Sequence, residues 1–302
     1  MPKTSRRIRN IVISAVFLSI ALSLKLFFSL DSIPLFGENG MRIGVSSTFS
    51  AMPAILFGPL YGAVTSALLD ILGFIIKPTG SFLPYLTASA ALGGFLRGFL
   101  WNILKNKNEK NIRLTLFIIA LTALFLGLLN IFFLNDDGIT PMFYANANAS
   151  VVPDLSQMHY ISSVLIRRTI NSSDPAGSIS MYITVATAGL IGFALFCIVL
   201  LAADLMFSKR ISRLASSSGG KTYAVQILSA MLISGFTVTT LNTVSLREFL
   251  YESWQLLPFS VVWMPRVIEE IVMSVVNSYF IITLYMIAKK TGLVPEKKGT
   301  EK

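Results

Sequence analysis

The sequence predicts an all-α polytopic membrane protein with about eight transmembrane helices. Three observations carry that expectation. Charged residues make up only 13% of the 302-residue chain, against about 25% in a typical soluble domain. Hydrophobic residues make up 54%, and the mean hydropathy is +0.70. Apolar runs close to the roughly 20 residues needed to cross a bilayer recur along the chain. The net charge of +10 then reads as basic cytoplasmic loops in a lipid bilayer rather than a nucleic-acid surface. One cysteine, Cys197, and one histidine, His159, leave no disulfide framework and no Cys- or His-rich metal site.

The first helix is expected at 11–30, after the basic start "MPKTSRRIRN". Such a start also fits a signal peptide. The run is of spanning length and no small-x-small site follows it, which favours a retained helix. The second candidate, 45–58, is short, and Pro53 is expected to break it. The third, 60–77, carries one acid, Asp70, in an otherwise uncharged run that opens Gly58-Pro59-x-x-Gly62. The remaining candidates are 83–104, 114–134, 181–207, 222–244 and 258–289, the last long enough to tilt or project. With eight spans, the basic segments before the first helix and after the fourth, sixth and eighth fall on one side. Both termini are therefore expected in the cytoplasm, with the protein in the cell membrane. Segment 135–180 is too long and polar for a plain turn. It is expected to pack on the outer face, with a short helix at 155–169. Its sequons at Asn148 and Asn171 matter only on a eukaryotic secretory route.

Two patterns weaken on inspection. "ASSSGGKT" (215–222) fits a loose phosphate-loop pattern, but that motif works only between a strand and a helix. Here it joins two membrane helices and reads as a linker, so no ATP and no other cofactor is expected on this chain. His159 has no G-x-S-x-G partner, so a serine-protease reading fails on parts.

Other residues gain weight. An ionisable group inside a membrane usually faces a cavity or a partner, which marks Asp70. Gly62 with Ser66, and Ala63 with Ala67, are four apart and let a helix approach closely. Two readings stand there: packing within the bundle, or a docking face for a separate membrane subunit. On the last helix Trp263, Arg266, Glu270 and Asn277 share one face, with Glu269 beside it and Pro265 placed to kink the helix. Arg266 and Glu270 are spaced to pair, or to hold a polar, anionic ligand. Asn242, Thr240 and Thr243 end the preceding helix near Trp263. "MRIGVSSTFSAMPAI" (41–55) offers Arg42, Thr48 and Phe49 on what reads as a lid or binding loop, or a simple outer connection.

Residues 42–99 then resemble the substrate-binding S components of energy-coupling factor (ECF) vitamin transporters, closest to the folate-type group. The likeness rests on Arg42-Ile43, Pro53, Phe57-Gly58-Pro59, Gly62-Ala63, Asp70, Gly73-Phe74, Pro78, Gly80, Phe82 and Pro84. "TTLNT" and "PRVIEEI" resemble the last two helices of that group. The resemblance implies a six-helix core, 11–104 and 222–290, with 105–221 as an inserted helix pair around the outer segment 135–180. It implies capture of a vitamin, folate or a related one. It also implies docking on a module with a transmembrane coupling subunit and two cytoplasmic ATPases, which hydrolyse the ATP. Docking falls to Ala15 with Ser19 and Ala63 with Ala67. The candidate ligand set is Arg42, Thr48, Phe49, Asn242, Trp263, Arg266 and Glu270. In it a flat ring stacks on Trp263 or Phe49, Asn242 and Glu270 hydrogen-bond it, and Arg266 or Arg42 meets an anionic group. The alternative is a self-sufficient secondary transporter of a small polar solute, against which the absence of a clear internal repeat argues. An enzyme is not expected.

Overall fold

The computed structural model describes residues 3–27, 30–35, 38–78, 81–136, 189–215, 223–255 and 259–292. Its elements are α1 (Lys3–Phe27), β1 (Leu30–Leu35), β2 (Glu38–Ile43), α2 (Ser46–Phe57), α3 (Pro59–Ile76), α4 (Pro84–Leu104), α5 (Glu109–Asp136), α6 (Leu190–Ala215), α7 (Ala224–Phe249), α8 (Glu252–Gln255) and α9 (Phe259–Lys290). The protein is an all-α polytopic membrane protein. Each of the eight expected segments overlaps one of these helices. Five helical segments, in α1, α3, α5, α7 and α9, are long and apolar enough to cross a bilayer. The 32 residues of α9 reach about 48 Å at 1.5 Å per residue, beyond the roughly 30 Å hydrocarbon core.

Three expectations change. Residues 31–42 are not a plain loop: β1 and β2 form an antiparallel hairpin, with Leu30 opposite Ile43 and Leu35 opposite Glu38. Pro53 does not break the chain but sits inside α2. A proline removes only one N–H from the ladder, and α2 continues to Gly58, whose N–H donates to Ala54 O at 3.0 Å. At 12 residues, α2 reaches only about 18 Å and does not span by itself. Residues 181–188 of the sixth expected span, nearly all of segment 135–180 with His159 and both sequons, and 216–222 of the Ser/Gly linker lie outside the described residues.

The chain divides into two compact units, Met1–Ile112 with Ala203–Lys302, and Arg113–Ala202. In the second, Gly127 of α5 lies against Ile191 of α6: a Cβ there would come within 2.8 Å of the Ile191 side chain.

Within the first unit, local chemistry fixes the α3–α4 seam. Gly58 has φ +108, a backbone conformation that glycine tolerates best, and Pro59 starts α3 at the position where proline is best accepted. This turns the chain between α2 and α3 in one residue. A Cβ on Gly98 of α4 would sit 2.7 Å from Pro59 Cα, and Cβ atoms on Gly62 and Gly94 would run into each other's backbone. The tight junction expected at Gly58-Pro59 and Gly62 is therefore present, and α4 is its other half.

Two apolar clusters stand at opposite ends of α7 and α9. One joins Ala51, Met52 and Ile55 of α2 and Trp101 of α4 to Ala224, Ile227 and Met231 of α7 and to Ile281, Ile282 and Tyr285 of α9. The other gathers Leu246, Trp254 and Val262, with Leu35, Leu83 and Leu86 against them. There the Trp254 indole N–H donates to Leu35 O at 3.3 Å, tying α8 to the hairpin. Between the clusters, the middle of α7 and of α9 carries polar side chains.

Candidate functional site

Two adjoining cavities open in that polar middle, with volumes of about 260 and 230 Å³. Both are walled by Lys25 of α1, Asp70 of α3, Ala90 of α4, Val238 of α7, and Glu269 and Glu270 of α9. The first chamber extends toward Lys77, Asn242, Tyr251 and Arg266. The second extends toward Ser46, Ser47, Ser66, Arg97 and Asn277.

The shared wall is an ordered polar network. Lys25 Nζ lies 4.0 Å from Asp70 Oδ1 and donates to Leu69 O at 3.4 Å. It reaches α3 over Gly73, where a Cβ would come within 2.6 Å of it. Thr87 of α4 donates to Asp70 Oδ2 at 2.7 Å. On the far side, Glu270 accepts from Ser274 at 2.8 Å and from Thr239 of α7 at 3.3 Å. It leans on Gly235, where any larger residue would collide with its carboxylate. An acid at this depth is costly unless it meets polar partners, and both acids have them.

The residues singled out by sequence fall in different places. Asn242, Arg266 and Glu270 line the first chamber. Asn242 Oδ1 accepts from Ser89 of α4, and the Arg266 guanidinium lies 5.7 Å from the centre of the Trp254 ring, a cation–π distance. Trp263 and Phe49 line neither chamber. The Trp263 indole donates to Thr240 at 3.0 Å and packs edge-on to Phe236 at 5.6 Å. The Phe49 ring is 6.5 Å from Phe17. Thr48 is fully buried and donates to Asn277 Oδ1 at 2.8 Å, so it touches the second chamber through Asn277. Arg42 belongs to β2, and its side chain lies outside the described residues. Ala15 and Ser19 are exposed on α1, Ser19 donating to Ala15 O at 2.9 Å, and Ala63 and Ala67 are half-buried on α3.

Sequence reasoning passed over Lys25, Lys77 and Arg97 in the cavity walls. A signal existed for two of them. Lys25 and Arg97 are cations inside helices long enough to span, which is costly unless they meet a partner or a cavity.

Two polar cavities thus lie among the helices of a polytopic membrane protein. A family model described as "ECF-type riboflavin transporter, S component" matches residues 5–166, and the chain belongs to that family. It is also similar to a "Folate transporter FolT" of Clostridium novyi (strain NT), with 36% identity over 81 residues. That match covers 26% of this chain and 46% of the relative, so the chain spans about half the relative's length. No solved structure matches the chain.

Proposed function

We propose that the chain is the substrate-binding subunit of an ECF-type vitamin uptake transporter, and that its vitamin is folate or a related acidic pterin. The observation that carries this reading is the pair of polar chambers in the wall shared by α1, α3, α4, α7 and α9. Their cations, Lys25, Lys77, Arg97 and Arg266, suit a ligand that brings its own negative charge. Their carboxylates suit a pterin's amino and ring N–H donors. Charge-assisted hydrogen bonds of this kind are about twice as strong as neutral ones. The name of the Clostridium relative points the same way. A flavin is the second reading, favoured by the description of the family model. It is a neutral ligand and brings no negative charge of its own to the cations of the two chambers.

On this reading the chain sits in the cell membrane with both termini cytoplasmic and is not an enzyme. Residues 105–221 are an insertion into a six-helix core. The Ala15/Ser19 and Ala63/Ala67 strips meet a transmembrane coupling subunit, which two ATPases drive. Exposed apolar side chains beside them, Val16 and Ile20 on α1 and Val64 and Leu68 on α3, leave a surface that lipid or a partner helix covers.

The test is to purify the chain alone and then place it in liposomes. Saturable folate binding without ATPases, and accumulation only when the energising module and ATP are added, is the expected pair of results. Accumulation by the chain alone contradicts the reading and revives a secondary transporter.

A further inference from the structure

The second chamber has a feature that the first lacks. Helix α2 points its N-terminus into it through Gly44, Ser46 and Ser47. The residue before the helix is Val45, which supplies no capping side chain. Thr48 N–H turns back to Val45 O at 3.1 Å, and the two amides before it start the helix. An uncapped N-terminus concentrates unsatisfied N–H groups and a partial positive charge, which together suit an anion.

Two further side chains in the same wall carry buried polar atoms that make no hydrogen bond among the described residues. Ser66 of α3 is only 7% exposed. Its Oγ, and the buried Nε of Arg97 on α4, find no hydrogen-bond partner among the described residues. Buried polar groups are ordinarily satisfied, so each unsatisfied one calls for a reason. Three acids share the wall: Asp70 is held by Thr87 and Lys25, Glu270 accepts from Ser274 and Thr239 and is the negative group that Arg97 senses, and Glu269 lies beside it. Ser46 and Ser47, in the first turn of α2, also line this chamber.

We propose that the second chamber is an oxyanion subsite, built from the uncapped start of α2, Arg97 and Ser66, that takes the carboxylate or phosphate end of the transported molecule. The ring of that molecule then lies in the first chamber, across the Lys25–Asp70 wall. This assignment rests on the vitamin-binding reading for the identity of the ligand, and on the chamber alone for the chemistry of the group.

The test uses the full chain in detergent, with wild type, Arg97→Gln and Ser66→Ala compared. Inorganic phosphate, exchanged for chloride at constant ionic strength, should raise the melting temperature of the wild type. The rise should fall in both variants and vanish in Arg97→Gln. Folate and 6-hydroxymethylpterin, which lacks the acid, are then titrated. Arg97→Gln should weaken folate about tenfold or more, the loss of one charge-assisted contact, and leave the pterin unchanged. Should Arg97→Gln fail to fold, Ser66→Ala, which removes one oxygen, carries both readouts. No phosphate effect on the wild type, or an effect that both variants retain, overturns the subsite. Equal loss of folate and pterin binding overturns its role toward the acidic end. Phosphate protection without any folate binding leaves the subsite standing and removes the folate reading instead.

Discussion

Lys25 of α1 and Asp70 of α3 face each other at 4.0 Å in the wall common to both chambers. Each has a second anchor: Leu69 O for the ammonium and Thr87 for the carboxylate. Three helices, α1, α3 and α4, thus meet on one ion pair, and the pair stands where a ligand would cross from one chamber to the other.

The pair should behave as a unit. Both side chains keep some exposure, 21% and 28%, so the cost of breaking it should lie below the 3–5 kcal/mol typical of fully buried pairs. Lys25→Met and Asp70→Asn should each lower stability, and the double variant should lose less than the sum. Contacting residues couple by about 0.5–3 kcal/mol. Thermal unfolding of all four proteins measures the coupling, and strict additivity would show that the two groups do not interact.

The α3–α4 seam makes a sharper stability prediction. Gly94→Ala places a methyl into the backbone of Gly62, which cannot swing aside as a side-chain tip does. A loss of about 1–3 kcal/mol or more is expected, the range for overpacking. Gly192→Ala on α6, where nothing described lies within 4 Å, should be neutral or gain up to about 1 kcal/mol from helix propensity. Melting temperatures of the two variants should therefore move apart, and a seam variant as stable as wild type would refute the packing described.

Glu270 and Gly235 should be linked in ligand binding. Glu270→Gln keeps the shape but turns one acceptor oxygen into a donor amide, so folate affinity should fall about tenfold or more through the loss of a buried hydrogen bond. Gly235→Ala pushes the carboxylate from its seat and should weaken binding without replacing any residue of the chamber walls. Titration of both variants checks this. Unchanged affinity in the pair would remove Glu270 from the site.

Binding and coupling should separate on α3. Ala67→Phe adds bulk to the half-buried strip beside the exposed Val64 and Leu68, at a position that lines neither chamber. Folate binding to the isolated variant should match wild type, while uptake with the energising module should drop at least tenfold. If uptake is unaffected, the docking face lies elsewhere.

Hydropathy and backbone punctuation made most of the fold legible. The third and fourth helices, expected at 60–77 and 83–104, begin at Pro59 and Pro84, where proline marks the first turn. The hairpin at 30–43 was not legible, because its strands lack the β-branched alternation that announces a strand and contain Pro34 and Gly40. In the site, helical spacing brought out Arg266 and Glu270, which share a face of one helix. It also brought out Trp263, on the same face, yet that ring turns to Thr240 and Phe236. Spacing says which residues share a face, not which of them a neighbouring helix will cover. Lys25 comes from α1, and Thr87 and Arg97 from α4, and only the packing at Gly62, Gly73 and Gly94 brings them to one wall with α3.

The most direct measurement is a thermal-shift comparison of folate and riboflavin on the purified chain. A ligand that binds only the folded state raises its melting temperature by mass action. A clear rise with folate and little with riboflavin is the expected result, because folate brings carboxylates to the cations of both chambers and riboflavin brings none. A rise with riboflavin alone would contradict the acidic-pterin assignment while keeping the family's vitamin-binding role. No rise with either would contradict the central claim that these chambers hold a vitamin of this kind.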